Sequence, residues 1–218
     1  MRTHPVFLCL DGRPCVAVGG DGAIESKVES CRAAGADVTV VAAQLTPGLR
    51  ALVEAGGLRW RPRDYQPGDL RGAVLAYAST DDPQRIALLR DEAARERVLL
   101  NVIDIPDACS FIAPAVVRRG ALQVAIGTGG ASPLLAARLR RELEAKVGPE
   151  YAPLVQILGA VRRALGTDPE RIAVLAALLD SPLLELLRRG DRPAIDRLLA
   201  RIAGERCTLE RLGVDAVV

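Results

Sequence analysis

The sequence predicts an α/β fold: a doubly wound parallel sheet, then an extension, then a C-terminal helical region. Three observations carry this. Short, valine-rich runs at 15–18, 37–41, 73–78 and 98–103 have the length and composition of buried strands. Segments with apolar residues at helical spacing separate them, and strands alternating with such helices form parallel sheets covered on both faces. After Gly148 only helical periodicity remains. A chain of 218 residues accommodates one large domain, or one domain with an appendage.

In chain order, Asp11-Gly12 is a turn signal that sets off a short strand over Val6 to Leu10. The run from Cys15 to Val18 is the first strand of the sheet proper. It ends in Gly19-Gly20-Asp21-Gly22, after which Ile24, Val28 and Cys31 recur at helical spacing. Ala34-Gly35-Ala36 stops that helix, and Asp37 to Val41 is the second strand. Thr46-Pro47 caps and starts a helix carrying Leu49, Leu52 and Val53. Leu58 to Arg61 is a third, weaker strand, and Ala73 to Ala78 a fourth. Asp81 and Asp82 cap a helix through Ile86, Leu89 and Ala93. Val98 to Ile103 is the fifth strand.

Past Asp104 the pattern changes. Pro106 and Pro114 bracket a loop, and Ala121 to Ile126 alternates like a strand with one solvated face. Gly127-Thr128-Gly129-Gly130 is a second glycine loop, and Ser132-Pro133 starts a helix through Leu135, Leu139 and Leu143. Leu154, Val155, Leu158, Val161 and Leu165 mark the next helix. Asp168-Pro169 and Ser181-Pro182 each read as a cap followed by proline at the first helical position. Gly190 closes the third helix of this region, and Ile195, Leu198 and Ile202 mark a fourth. The residues from Glu205 onward have no assigned element. These features predict a dinucleotide-binding domain over 1–113, a dimerisation segment over 114–147 and a helical domain over 148–218.

Composition narrows the function. The net charge of +2 is nearly balanced and argues against a nucleic-acid partner. No apolar run is long enough to cross a bilayer and no signal peptide is visible, so the expected setting is cytoplasmic and away from membranes. The cysteines, Cys9, Cys15, Cys31, Cys109 and Cys207, are odd in number and form no C-x-x-C pair. Neither a disulfide framework nor a zinc site is expected, and no residues are assigned to a metal. His4, near the N-terminus, is the single histidine, so neither a Ser-His-Asp triad nor a histidine-rich metal site is expected. Lysine appears only at Lys27 and Lys146. Arginine supplies nearly all the cations, and its two-pronged donor fork suits carboxylates.

Strand, glycine loop and helix at 15–31 form the opening of a Rossmann-like dinucleotide-binding unit. Glycines let the backbone approach a pyrophosphate, and the helix N-terminus presents free N–H groups to it. The G-x-G-x-x-G spacing is not kept, because Asp21 and Ile24 stand at its second and third glycines. Ligands of doubly wound sheets sit at the carboxyl ends of the strands. Those ends are Gly19–Gly22, Val41–Gln44, Ala78–Asp81 and Asn101–Asp104, which makes Gly19, Gly20, Gly22 and Thr80 candidates for the cofactor and Asn101 a candidate for the substrate. No acidic residue follows the second strand to hold a ribose; Gln44 or backbone groups stand there instead. Asp104, just past the fifth strand, is the candidate acid–base residue, since a carboxylate in a partly closed cleft can have its pKa raised. Asp-x-Pro is equally turn chemistry. Thr128, Arg118 and Arg138 are candidates for an anionic substrate, although a solvated basic face accounts for the arginines as well.

These residues also carry a family resemblance. Val18-Gly-Gly20 with Lys27, Ala33 to Ala36, Val38 to Val41 and Ser79 to Asp82 resemble the N-terminal half of siroheme synthase. Asn101-Val-Ile-Asp104 with Cys109 to Pro114, then Gly129 to Pro133 with Leu139-Arg140, resemble precorrin-2 dehydrogenase. The likeness runs through about the first 165 residues, and the helical tail is similar to that of stand-alone members. It implies NAD-dependent oxidation of precorrin-2, a tetrapyrrole, to sirohydrochlorin, in some members with insertion of ferrous iron as a further substrate. It places the catalytic aspartate on Asp104, NAD contacts on Gly22-Ala23 and Ala43-Gln44, and a homodimer interface on roughly Pro114 to Val147.

The chain departs from the family at Asp21, where many members have glycine, and at Thr128, where some have serine. A carboxylate about 4 Å from the pyrophosphate would repel it by roughly 4 kcal/mol at an effective dielectric of 20, unless it turns away. Two alternatives follow: a sirohydrochlorin metal chelatase that has lost NAD, and a non-catalytic nucleotide-sensing module. Asp104 and the second glycine loop argue against the sensor.

Overall fold

The computed structural model describes residues 2–214. The chain folds as two compact units, Met1–Ala113 and Pro114–Val218. The segments expected at 114–147 and 148–218 both lie in the second unit. Met1 and residues 215–218, at the ends of the expected domain ranges, lie outside the described residues.

The first unit is built on five parallel strands: β1 (Pro14–Val18), β2 (Asp37–Val41), β3 (Arg59–Arg61), β4 (Leu75–Ala78) and β5 (Leu99–Val102). Their spatial order is β3-β2-β1-β4-β5. The order reverses between β1 and β4, which makes the carboxyl ends of these two strands the topological switch point where such sheets take ligands. Helices α1 (Gly22–Ala33) and α2 (Pro47–Glu54) cover one face, and α3 (Pro83–Glu96) the other. Strand alternation sends Val16 and Val18 to the α3 face and Cys15 and Ala17 to the α1 face. Both faces are therefore apolar, and the strands read as continuous hydrophobic runs.

Val6 to Leu10 does not form the expected strand. β1 is central, with β2 on one side and β4 on the other, so no sheet edge beside it is open to the segment that precedes it. Val6 and Phe7 are instead 64% and 67% exposed.

The crossover from β3 to β4 has no helix, and buried carboxylates hold it in place. Glu92 of α3 is 1% exposed. It accepts hydrogen bonds from the Gly68 and Leu70 amides at 2.9 and 3.0 Å and from the Tyr65 hydroxyl. Asp69 receives the Arg61 and Arg63 guanidiniums at 2.6 and 2.7 Å and the Gln66 amide at 2.9 Å. Burial opposes charge on Asp69, but Arg63, the Gln66 amide and Arg61 outweigh it and hold the carboxyl at about 2. Burial, then the neighbouring Glu92 carboxylate, pushes the Tyr65 phenol up from its ordinary value.

The second unit opens with an antiparallel hairpin, β6 (Ala115–Arg119) and β7 (Leu122–Ile126), turned at Gly120, whose φ is 56°. The sequence predicts β7 and carries no assignment for 115–119, where β6 forms. Helices α4 (Pro133–Lys146), α5 (Tyr151–Leu165), α6 (Arg171–Leu179), α7 (Leu183–Arg189) and α8 (Arg192–Ala203) follow. Two helix starts differ from expectation. Asp168-Pro169 forms a turn before α6 begins, with Asp168 Oδ1 accepting from the Glu170 amide at 2.8 Å. Pro182 caps α7 from outside the helix, while Ser181 accepts from the Leu183 amide at 3.2 Å. The residues after Glu205 join the helical core: Cys207, Leu209 and Val214 are buried, and the Leu209 amide donates to Asp196 Oδ1 at 2.7 Å. No helix among the described residues is long and apolar enough to cross a membrane.

Glu92→Ala leaves the Gly68 and Leu70 amides and the Tyr65 phenol without their acceptor, at about 1–3 kcal/mol for each group that is buried. We expect this variant to lose at least about 3 kcal/mol of stability in urea unfolding of the intact chain. Glu92→Gln, which keeps one acceptor oxygen, loses roughly half as much.

Candidate functional site

The site is the row of loops at the carboxyl end of the sheet, and its centre is the turn from β1 into α1. β1 hands over to Gly19, whose amide donates to Val41 O at 2.9 Å. Gly19 has φ 115°, a conformation open to glycine and rarely to other residues. At Gly20 the need is steric, because an added Cβ would fall 1.9 Å from the Gln44 carbonyl oxygen. Gly20 O in turn accepts from the Thr46 amide at 3.0 Å. The β1–α1 and β2–α2 loops therefore touch backbone to backbone. Thr46 adds a side-chain tie, donating to Glu25 of α1 at 2.5 Å while accepting from the Leu49 amide at 3.2 Å as the cap of α2.

Asp21 is the N-cap of α1. Its Oδ1 accepts from the Ile24 amide at 2.9 Å, and its Oδ2 accepts from the Ser79 hydroxyl at 2.5 Å. Partial burial would raise its pKa, but the Ser79 hydroxyl and the Ile24 and Ala23 amides outweigh that and bring the net shift below the usual value. The charge that threatened to repel a pyrophosphate is thus bound to the loop and to the helix dipole. At Gly22 an added Cβ would meet nothing within 4 Å, so the ground before the first turn of α1 is open. A backbone cradle, a free approach and a helix N-terminus fit a dinucleotide pyrophosphate.

The remaining strand ends complete the row. Ala43 and Gln44 are exposed after β2. Thr80, after β4, accepts from the Asp82 amide at 3.3 Å, and Asp82 caps α3 through the Gln84 amide at 2.9 Å. Asn101 of β5 donates its amide to Phe111 O at 2.9 Å, which holds the 106–111 loop against the strand end. Asp104 follows β5 with φ 62° and an exposed side chain. A left-handed aspartate is uncommon and costs roughly 1 kcal/mol, a cost that persists where the surroundings impose it. Here the Ile105 amide bonds back to Val102 O at 3.2 Å and closes the turn.

Gly19, Gly20, Gly22, Ala23, Ala43, Gln44, Thr80, Asn101 and Asp104 thus share one end of the first unit. Thr128, Arg118 and Arg138 belong to the second. Thr128 Oγ1 accepts from the Ser132 amide at 3.2 Å, ahead of the Ser132 cap of α4. Arg138 is exposed and paired with Glu142 at 2.8 Å. Arg118 is exposed on β6, and its carbonyl accepts from Arg119 at 2.8 Å. Sequence reasoning missed Ser79, whose hydroxyl lies 58 residues from the Asp21 carboxylate that it serves. Periodicity carries no signal for this contact. No group of three or more His, Cys, Asp or Glu able to hold a metal ion occurs among the described residues.

Gly20→Ala drives a Cβ into the Gln44 carbonyl, and we expect it to weaken nucleotide binding at least about tenfold by calorimetry. Asp21→Ala removes a cap worth about 1 kcal/mol together with the Ser79 link. It should lower the urea midpoint, and Asp21→Ser, which can still cap α1, should recover part of that loss.

The family described as "Putative NAD(P)-binding" matches residues 6–115, half of the chain, and that described as "Sirohaem biosynthesis protein central" matches residues 119–146. The siroheme synthase of Methylobacillus flagellatus is 38% identical over 165 residues, covering 76% of this chain and 35% of that protein. The siroheme synthase of Azotobacter vinelandii is 37% identical over 205 residues, covering 92% of this chain and 44% of that protein. The chain spans less than half the length of these curated relatives. Among solved structures, SirC, a precorrin-2 dehydrogenase, superposes with a TM-score of 0.71 at 25% identity, over 83% of this chain and 91% of that one. With its glycine loop, switch point and parallel sheet in the places such a domain requires, the chain belongs to the family described as putative NAD(P)-binding.

Proposed function

We propose that this chain oxidises precorrin-2 to sirohydrochlorin with NAD as its cofactor. The observation that carries the reading is the likeness to SirC, which extends over 91% of that dehydrogenase and embraces both the sheet and the region after it. The glycine loop, Ala43-Gln44 and Thr80 hold the dinucleotide. When bound, NAD supplies the acceptor for the hydride that the tetrapyrrole loses. A proton must leave as well, and the Asp104 carboxylate takes it. Its place after β5 sets it beyond the switch point, at the far side from β2. Exposed in the free chain, it is available to a substrate docked over the sheet edge.

The alternative of a chelatase without NAD rested on repulsion from Asp21. Ser79 and Ile24 hold that carboxylate at the cap of α1 instead of leaving it free to turn toward a bound anion, which favours the reading with NAD. Ferrous iron remains a second substrate compatible with the same base, since metal insertion also requires the pyrrole N–H protons to leave. Arg118 and Arg138 meet the substrate carboxylates as two-pronged donors. Five free cysteines suit a reducing, cytoplasmic setting. We assign homodimerisation to the 114–147 segment, on the strength of the apolar side chains α4 leaves uncovered: Leu134 is 77% exposed, Leu135 47% and Leu139 36%.

Asp104→Ala should lower precorrin-2-dependent NADH formation by about 100-fold, the lower range for loss of a general base, with NAD affinity unchanged. Asp104→Asn should be impaired alike, having kept the shape and lost the basicity. Near wild-type turnover in either variant contradicts the role. For the dimer, light scattering at micromolar concentration should give twice the chain mass, and Leu134→Glu should shift it toward the monomer. A monomeric wild type removes the assignment.

A further inference from the structure

β5 is the last strand of its sheet, so one of its edges meets no other strand. Leu99 and Ile103 donate toward β4, to Val74 O at 3.2 Å and Ala78 O at 2.8 Å. Alternate residues of a strand turn their backbone groups to opposite sides, which sends those of Leu100 and Val102 to the open edge. Both residues are buried, and buried backbone groups require partners. The returning segment at 105–110 supplies them. The Ser110 amide donates to Leu100 O at 2.8 Å. The Ser110 hydroxyl accepts from the Leu100 amide at 2.8 Å and donates to Leu100 O at 3.2 Å. One residue thus takes both edge-facing groups of Leu100.

Asp104 lies inside the loop that this pairing closes. Val102 O accepts from the Ile105 amide at 3.2 Å, and Ile105 O accepts from the Ala108 amide at 3.0 Å. The Cys109 thiol lies 3.2 Å from both of these carbonyl oxygens, which bracket Asp104. Burial pushes that thiol up from its ordinary value, against the pull of the Val102 carbonyl, so it remains a neutral donor. Beyond Ser110, Phe111 O accepts from the Asn101 amide at 2.9 Å, and its ring stands edge-on to Tyr77 of β4 at 5.4 Å. The bonds of Ile105, Ala108 and the Cys109 amide lie within the loop and would travel with it. The Ser110–Leu100 pair reaches two residues deeper into β5 than Val102 and ties the loop to the sheet.

The geometry points to Ser110 as the positioning residue of the proton-transfer step: its hydroxyl, locked on Leu100, holds the left-handed turn that aims the Asp104 carboxylate. This rests on the reading of Asp104 as the base and adds what keeps that base in place. The Asp104 side chain is exposed, so its direction follows from its backbone, whose φ of 62° persists where the surroundings impose it. Placement matters to the reaction, since a displacement of about 1 Å at a reacting group can cost on the order of 100-fold in rate.

NADH formation by the full chain, with precorrin-2 and NAD, tests the assignment. We expect Ser110→Ala to lower kcat about fivefold to tenfold, with KM and NAD affinity within about twofold of the wild type. Ser110→Thr, which keeps the hydroxyl, should restore kcat to within about twofold. The deciding measurement places Ser110→Ala in the Asp104→Asn background, followed in single turnovers with enzyme in excess. A residue that acts through Asp104 has no base left to position there, so the added substitution should change the rate by less than about twofold. An equal fold loss in both backgrounds, an unchanged kcat in Ser110→Ala, or a loss confined to KM overturns the inference and leaves Asp104 as the base. Near wild-type turnover by Asp104→Asn overturns the two together. Should thermal melts show Ser110→Ala to be unfolded, Ser110→Cys replaces it in both backgrounds, with a smaller kcat loss expected and the same contrary results. If the Asp104→Asn rate falls below detection, the single variants decide: a loss in kcat that Ser110→Thr restores supports the role, and a loss that it does not restore overturns it.

Discussion

The carboxylate of Asp21 is the interaction on which the site depends. One oxygen caps α1 through Ile24, and the other takes the Ser79 hydroxyl from the loop after β4. β1 and β4 are the strands between which the sheet reverses its order, so this side chain joins the two loops that border the switch point. On the other flank, Gly20 lies against Gln44 and binds Thr46. Three consecutive strand-end loops are thereby fixed to one another before any ligand arrives. Such preorganisation reduces the ordering cost of binding.

The sheet was legible because its physics is local. Valine-rich runs, Thr46 and Asp82 as caps, and glycine or proline at the breaks gave five strands and three helices in the right order. The errors came where partners are distant in sequence. Val6 to Leu10 has the composition of a strand, yet strand formation requires a free edge, and the position of β1 in the middle of the sheet removes it. β6 was hidden because Ala115 to Arg119 becomes a strand through β7, which follows it across Gly120. Asp21 was the more instructive case. From sequence its charge faced an anion; in the structure a hydroxyl 58 residues away redirects it.

Of the candidate site, the glycine loop and Asp104 were legible as positions at strand ends. Their chemistry was only partly so. A cleft carboxylate was expected at Asp104, and the structure gives an exposed one on a left-handed turn. Buried carboxylates do occur in this unit, at Glu92 and Asp69, and they serve the fold. Each is surrounded by donors that hold the helix-less crossover from β3 to β4. Their pairing is what makes their burial tolerable, since an unpaired buried charge is strongly destabilising. In this unit Glu92 and Asp69 are thus carboxylates committed to the fold, whereas the Asp104 side chain stays exposed.

The strand ends carry this separation across the sheet. With neighbouring parallel strands about 4.8 Å apart, β3 and β5 lie roughly 19 Å from each other. Arg61 and Arg63 stand at one extreme, the glycine loop with the hydrogen-bonded Asp21 carboxylate in the middle, and Asp104 at the other. A ligand laid across the strand ends therefore meets basic side chains at one end and a carboxylate at the other, and reversing it exchanges those surroundings. The fixed strand order thus converts a few charges, distant from one another in sequence, into an orientation signal. The Asp69 anchor contributes by keeping the basic end in place without neutralising it.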